Sequence, residues 1–312
     1  MNEKPENARI VGLTADHNLR MSQIDPRVAP APLMPEDHIH VASEGKGALA
    51  AGRIQEQHYD ESAYESLWGA LRRHILHVRV AGPDPVPAFD RVVGGLLDRI
   101  DTGPGRGADQ AVTLTWPSLD TRCAAPLVQH GFAPLTSLVV RELRRPDDLL
   151  DGTTVRPAQR DDLEWLTDQA HRLHRFENGL GVLPERPALR ARLHAELAEA
   201  MADPNCFILV ALIHKDPVGF LQGQVPHGAW IEKQVTLAPA GYLSRLFIEP
   251  TARRKSVGRS LAAAAHDLVR AHGAKVTMLH HSLHNPFAAP FWAELGYRPV
   301  LTTWSKRFPN AG

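Results

Sequence analysis

The chain has 312 residues, 43% hydrophobic and 22% charged, enough for about two globular domains with ordinary cores. Lys+Arg and Asp+Glu are equal at 35 each, so no net charge draws it to nucleic acid or an anionic membrane surface, and neither is expected as a partner. The two cysteines, Cys123 and Cys206, make no disulfide framework. The opening MNEKPENAR has no apolar segment and no apolar run is of membrane length, so a soluble cytoplasmic protein without a signal peptide is expected.

Residues 1–37 are punctuated by Pro26, Pro30, Pro32 and Pro35, show no sustained periodicity, and read as a flexible arm. From His38, HIHVASEGKGALAAGRIQ predicts two strands around a turn at Glu44–Gly47, and Trp68–Val80 a third. Val92, Val93, Leu96, Leu97 and Ile100 stand at helical spacing. Ala111–Trp116 is a strand, Asp120 caps a short helix ending at Gly131, and Pro134–Leu143 is another strand. The polar join Pro146–Asp151 is the expected boundary between a partial domain, 38–150, and a complete one, 151–312.

The second half opens with strand Thr153–Arg156. Asp161 and Glu164 suggest a capping box for a helix burying Leu166, Ala170 and Leu173. A loop is expected over Phe176–Pro187, then a helix marked by Leu189, Leu193, Leu197 and Met201. Cys206–Ile213 is a continuous apolar run, hence a buried strand. Val218–Val225 and Gly241–Ile248 follow as strands. Val257, Leu261, Ala264 and Leu268 stripe a helix ended by Gly273. Lys275–His281 is a strand, Asn285 with Pro286 opens a helix ending at Gly296, and Pro299–Lys306 closes the chain. The order βααβββαβαβ predicts an α/β (α+β) fold, a mixed sheet with helices on both faces.

The two halves repeat at their ends. Asp120, Cys123, Leu127, Gly131 and Pro134 align with Asn285, Ala288, Trp292, Gly296 and Pro299 at a constant offset (285 − 120 = 165). The first copy lacks counterparts of the two opening helices.

Between Ile248 and Leu261 the apolar strand stops at Pro250 and a basic turn follows, with Arg253, Arg254, Lys255, Arg259 and Gly258. A basic turn that opens a helix aims N–H groups and a positive dipole end at an anion. Three features resemble the GNAT superfamily of N-acetyltransferases: Leu246-Phe247-Ile248 followed by Pro250, the turn Arg253–Arg259, and Asn285-x2-Ala288-x2-Phe291-Trp292-x2-Leu295-Gly296-Tyr297. Ser256 stands where the family's first turn glycine is usual.

The resemblance implies tandem GNAT-like sheets, the N-terminal copy incomplete. It also implies acetyl-CoA as co-substrate, with pantetheine along Leu246, Phe247 and Ile248 and diphosphate on Arg253, Arg254, Lys255, Ser256, Val257, Gly258 and Arg259. Asn285, Phe291 and Trp292 border the thiol end, and an N–H near Leu246 polarises the carbonyl. Trp292 replaces the family's acidic tyrosine, and no carboxylate stands on the fourth strand. Solvent, Ser282 or a histidine is left to protonate the thiolate. His280, His281 and Glu232 are the candidate bases, with Glu177 a further alternative. The first half's turn, Ala81–Pro87, has no basic residue, three prolines and Asp84, and is expected not to hold a diphosphate. The histidine clusters 171/174 and 280/281/284 have no cysteine beside them, and no metal is expected. The implied acceptor is a small-molecule primary amine, and a homodimer is possible. The alternatives are a protein lysine or N-terminal acceptor, or acyl-CoA binding without transfer.

Overall fold

The computed structural model describes residues 4–34, 39, 41–45, 47–100, 109–144, 152–226 and 233–307. Seven helices and eleven strands are described: α1 Lys4–Ile24, β1 Val41–Gly45, β2 Ala48–His58, β3 Arg72–Ala81, α2 Val86–Leu97, β4 Gln110–Pro117, α3 Ala124–Gln129, β5 Ala133–Glu142, β6 Thr154–Pro157, α4 Leu163–Gly179, α5 Leu189–Ala202, β7 Cys206–Ile213, β8 Asp216–Gln224, β9 Ala240–Ile248, α6 Val257–Ala271, β10 Val276–Ser282, α7 Ala288–Glu294 and β11 Arg298–Arg307. From β6 on, the order is the one the periodicity predicts.

The chain divides into two compact units, but not at the 146–151 join. The first is Met1–Ser137 with Val300–Gly312, the second Leu138–Pro299. Strand order is β1-β2-β3-β4-β11 in the first and β5-β10-β9-β8-β7-β6 in the second. Adding 165 to the bounds of β5, 133 and 142, gives 298 and 307, the bounds of β11. The two strands are therefore repeat equivalents that have changed places. β11 pairs antiparallel with β4, from Leu301 opposite Pro117 to Arg307 opposite Ala111. The Leu143 N–H donates to Lys275 O at the foot of β10. Side-chain alternation tells which face a strand buries but not which equivalent edge it joins, so the exchange is silent in the hydrophobic pattern.

The repeat also holds at the hydrogen-bond level. Gly131 and Gly296 both sit at positive φ, 80° and 89°. Phe132 N–H then donates to Leu127 O, and Tyr297 N–H to Trp292 O, the same helix-ending bond 165 residues apart (297 − 132).

The arm expected over residues 1–37 is corrected. Residues 4–24 form α1, with Leu13, His17 and Met21 buried at i, i+4, i+8. A histidine in the middle of that stripe disguised it. His17 Nδ1 lies 3.2 Å from both the N–H and the O of Val80 on β3. Past the helix, Asn18 exchanges two hydrogen bonds with Ala31, and Arg79 Nη2 donates to Pro32 O. Asp120 was expected as a helix cap. Its carboxylate instead accepts from Trp116 Nε1 at 2.9 Å and pairs with Arg20 of α1 at 2.7 Å. Nor does Asp161 cap α4. Gln159 and Asp162 form the capping box two residues earlier, on the short 3-10 turn that leads into α4, and Arg156 holds the Asp162 carboxylate below its usual range.

Burial lowers His17 to a pKa of about 3 and His77 to about 4. Both are neutral when folded and take a proton near 6.5 when unfolded. The unfolded chain thus binds more protons below about pH 6.5, and stability is lost as pH falls from there toward 4. The urea midpoint of the first unit is expected to drop between pH 7 and pH 4.5, and His17→Gln to flatten that slope; an unchanged slope contradicts the buried neutral imidazole.

Candidate active site

The site grows out of one irregular strand. β9 pairs parallel with β10 only from Ala240–Val276 to Leu243–Leu279. On its other edge β9 pairs antiparallel with β8, and the register slips between Gln222 and Gly223. Ser244 is the extra residue, its Oγ donating to Gln222 O at 3.1 Å. A bulge bends the strand that carries it, and the β9–β10 ladder ends there. Glu249 N–H is bonded to Val218 of β8. Alternation therefore turns the N–H groups of Leu246 and Ile248 to the opposite edge, the open side of the split.

The basic turn follows at the far end of that edge. Arg254 and Ser256 take left-handed φ of 60° and 61°, a conformation that glycine adopts most easily. This explains why a glycine is usual at the position of Ser256, which costs on the order of 1 kcal/mol of strain. Left-handed residues in a turn gather successive N–H groups into an anion-binding concavity. The unsatisfied N–H groups of Val257, Gly258 and Arg259 open α6 beside it. A Cβ on Gly258 would lie 3.2 Å from the Phe291 ring, so that position has no room for a side chain without displacing the ring. Arg254 and Lys255 are exposed, and Arg253 lies over the Phe287 ring. Arg259 pairs with Glu294 of α7 at 2.6 Å; both are exposed, so the pair is weak and exchangeable.

Asn285 is not the cap of α7, which starts at Ala288. Its Oδ1 accepts from Phe287 N–H in a tight turn, and its Nδ2 donates to Glu177 Oε1 at 2.8 Å. Glu177 is on the last turn of α4, not in a loop, because that helix continues to Gly179. Burial pushes its carboxyl up. Phe176 beside it stacks on Phe287. Phe291 packs edge-on against Trp292, and Trp292 is core, 7% exposed against a fully buried Tyr297. The Tyr297 hydroxyl is taken by His266 and Thr277 at 2.7 Å each.

His280 is the first residue of β10 beyond the paired region. Its Nδ1 lies 3.0 Å from the Tyr242 hydroxyl, and burial lowers its pKa to about 4. His281 alternates away and bonds Ser282 O. Glu232 lies outside the described residues. Where a family carboxylate was sought on β9 stands Arg245, buried and bonded to Glu196 of α5 and Gln222. The sequence reading missed Tyr242 as a partner of His280. The signal was the parallel register, which spacing within one strand cannot supply. Among the described residues no group of three His, Cys, Asp or Glu could hold a metal ion, and no helix is long and apolar enough to cross a membrane.

A family model described as the acetyltransferase (GNAT) family matches residues 166–297. A sequence comparison with curated proteins returns no significant match. Among solved structures, a GCN5-related N-acetyltransferase from Sphaerobacter thermophilus is similar at TM-score 0.52 and 15% identity, over 97% of this chain and 91% of that one. One from Kribbella flavida gives 0.45 and 12%, over 97% and 96%. The fold and the matched domain define an acetyl-CoA-dependent acyltransferase. The match makes residues 166–297 a GNAT-family acetyltransferase domain.

Proposed function

We propose that the chain transfers acetyl from acetyl-CoA to the primary amine of a small molecule by direct attack, in the cleft of the second unit. One observation carries this: the unpaired edge of β9 leads straight to the N-terminal turn of α6. The edge suits the amides of a pantetheine arm, and the turn suits a diphosphate. The tight approach of Phe291 to Gly258 fits a turn kept bare for phosphate oxygens. Leu246, Phe247 and Ile248 would hold the arm, and residues 253–259 the diphosphate. The co-substrate supplies an activated acyl thioester. Leu246 N–H would steady the charge that develops on its carbonyl oxygen.

The acceptor side of β9 carries Tyr242, Arg245 and Phe247. Arg245 is covered by Glu196 of α5, and Phe247 by Arg172 of α4. This closed wall favours a compact amine over a peptide. The first unit would not turn over. Its β3 and β4 also part, after Leu76–Leu114, but there His17 of α1 occupies the Val80 backbone, and Asp84 precedes α2 in place of a basic turn.

The test combines calorimetry with thiol release from acetyl-CoA over a panel of a diamine, an amino sugar, an amino acid ester and a lysine peptide. One acetyl-CoA per chain and release with a non-peptide amine are expected. Two sites per chain, or release with the peptide alone, would contradict this reading.

A further inference from the structure

Trp292 raises a question that acetyl transfer leaves open. Its indole has no acidic proton and is 7% exposed in the core. Whatever delivers a proton to the departing sulfur must stand elsewhere, at the end of the cleft where the thioester lies. That end can be located. The anion turn follows Ile248, and four residues back along β9 is Ser244, about 13 Å away at the usual strand rise. There the β9–β10 ladder closes. The reactive end of the arm therefore falls at the apex of the split.

Tyr242 and His280 meet at that apex. Tyr242 is opposite Met278 in the register, so His280, two residues on and on the same face, is its diagonal neighbour. Their rings meet edge to face, 6.0 Å between centroids, and Tyr242 Oη lies 3.0 Å from His280 Nδ1. Among the described residues His280 Nε2 has no hydrogen-bond partner. We propose that Tyr242 and His280 act as one proton relay, carrying the acceptor nitrogen's proton to the departing sulfur. This rests on the acetyl-transfer reading.

The amine lone pair forms the C–N bond at the thioester carbonyl carbon. Collapse of the adduct breaks the C–S bond, and sulfur leaves with its electron pair. The surplus proton on nitrogen passes to His280 Nε2, the Nδ1 proton to the Tyr242 oxygen, and the phenol hydrogen to sulfur. The products are an amide and a thiol. The imidazole ends in its other tautomer and resets through solvent. Burial keeps the ring neutral across the neutral range, and passing one proton in as the other leaves puts no charge on it.

The test uses the full chain with the fastest amine of the panel. At saturating acetyl-CoA, Tyr242→Phe and His280→Gln should each lower kcat about 100-fold. Acetyl-CoA affinity by calorimetry should stay within about twofold, and the double variant should be no more than about twofold worse than either single one, because the two groups act as a unit. The Phe variant keeps the ring, and retained affinity shows that the cleft is intact. Wild-type kcat in either variant, multiplicative losses in the double variant, or loss of affinity without loss of kcat would overturn the relay and leave acetyl transfer standing. Binding of acetyl-CoA with no thiol release by the unmodified chain on any amine would overturn both.

Discussion

Gly258→Asp abolishes acetyl-CoA binding, with affinity falling at least about 100-fold, while the chain remains folded. The carboxylate would face the diphosphate from below, and like charges brought together in an interface cost several kcal/mol, with about 1.4 kcal/mol per tenfold in affinity. The same carboxylate sits at a helix N-terminus, where the dipole favours it in the free protein, so loss of binding is separable from misfolding. Gly258→Ala is the control. Its Cβ meets Phe291 at 3.2 Å, which a shift of the ring by a few tenths of an ångström relieves, and a milder loss is expected. Titration calorimetry on both variants measures this. Unchanged affinity in the Asp variant would show that the turn does not carry the diphosphate.

Asp120→Ala is expected to destabilise the first unit by about 3 kcal/mol. The side chain is 2% exposed and its Oδ2 serves both Arg20 and Trp116. Truncation leaves the Arg20 guanidinium without its counter-charge and the indole N–H without its acceptor in a buried place, which is the costly way to break such a pair. Asp120→Asn keeps an acceptor for the indole and should lose less. The urea transition that releases α1, followed by hydrogen exchange of residues 13–24, gives the value. A change under about 0.5 kcal/mol, typical of a surface site, would mean that α1 is only loosely attached.

The second unit was legible because its signals are local. Cys206–Ile213 is too continuous an apolar run for anything but a buried strand, Pro250 stops β9 where the turn must begin, and Gly296 ends α7 at positive φ. The basic turn was legible for the same reason: its charges and Gly258 lie within seven residues, 253 to 259. What stayed hidden depends on partners distant in the chain. α1 reads as an arm because His17 interrupts its apolar face, and His17 is explained only by Val80, sixty-three residues on. β5 and β11 hold equivalent places in the repeat, so their spacing does not say which sheet each joins. Ser244 is an ordinary strand residue until β8 sets the register that makes it a bulge. His280 was a candidate base from the sequence, but its contact with Tyr242 was hidden for the same reason, since the two meet only through the parallel pairing of their strands.

The open edge of β9 and the turn after it are proposed to form one acetyl-CoA site. Amide hydrogen exchange of the full chain, with and without saturating acetyl-CoA, tests it most directly. Slowed exchange at Leu246 and Ile248 and across residues 254–259, with β3 of the first unit unchanged, is the expected result. Protection at β3 with none at β9, or none at either, would contradict the assignment.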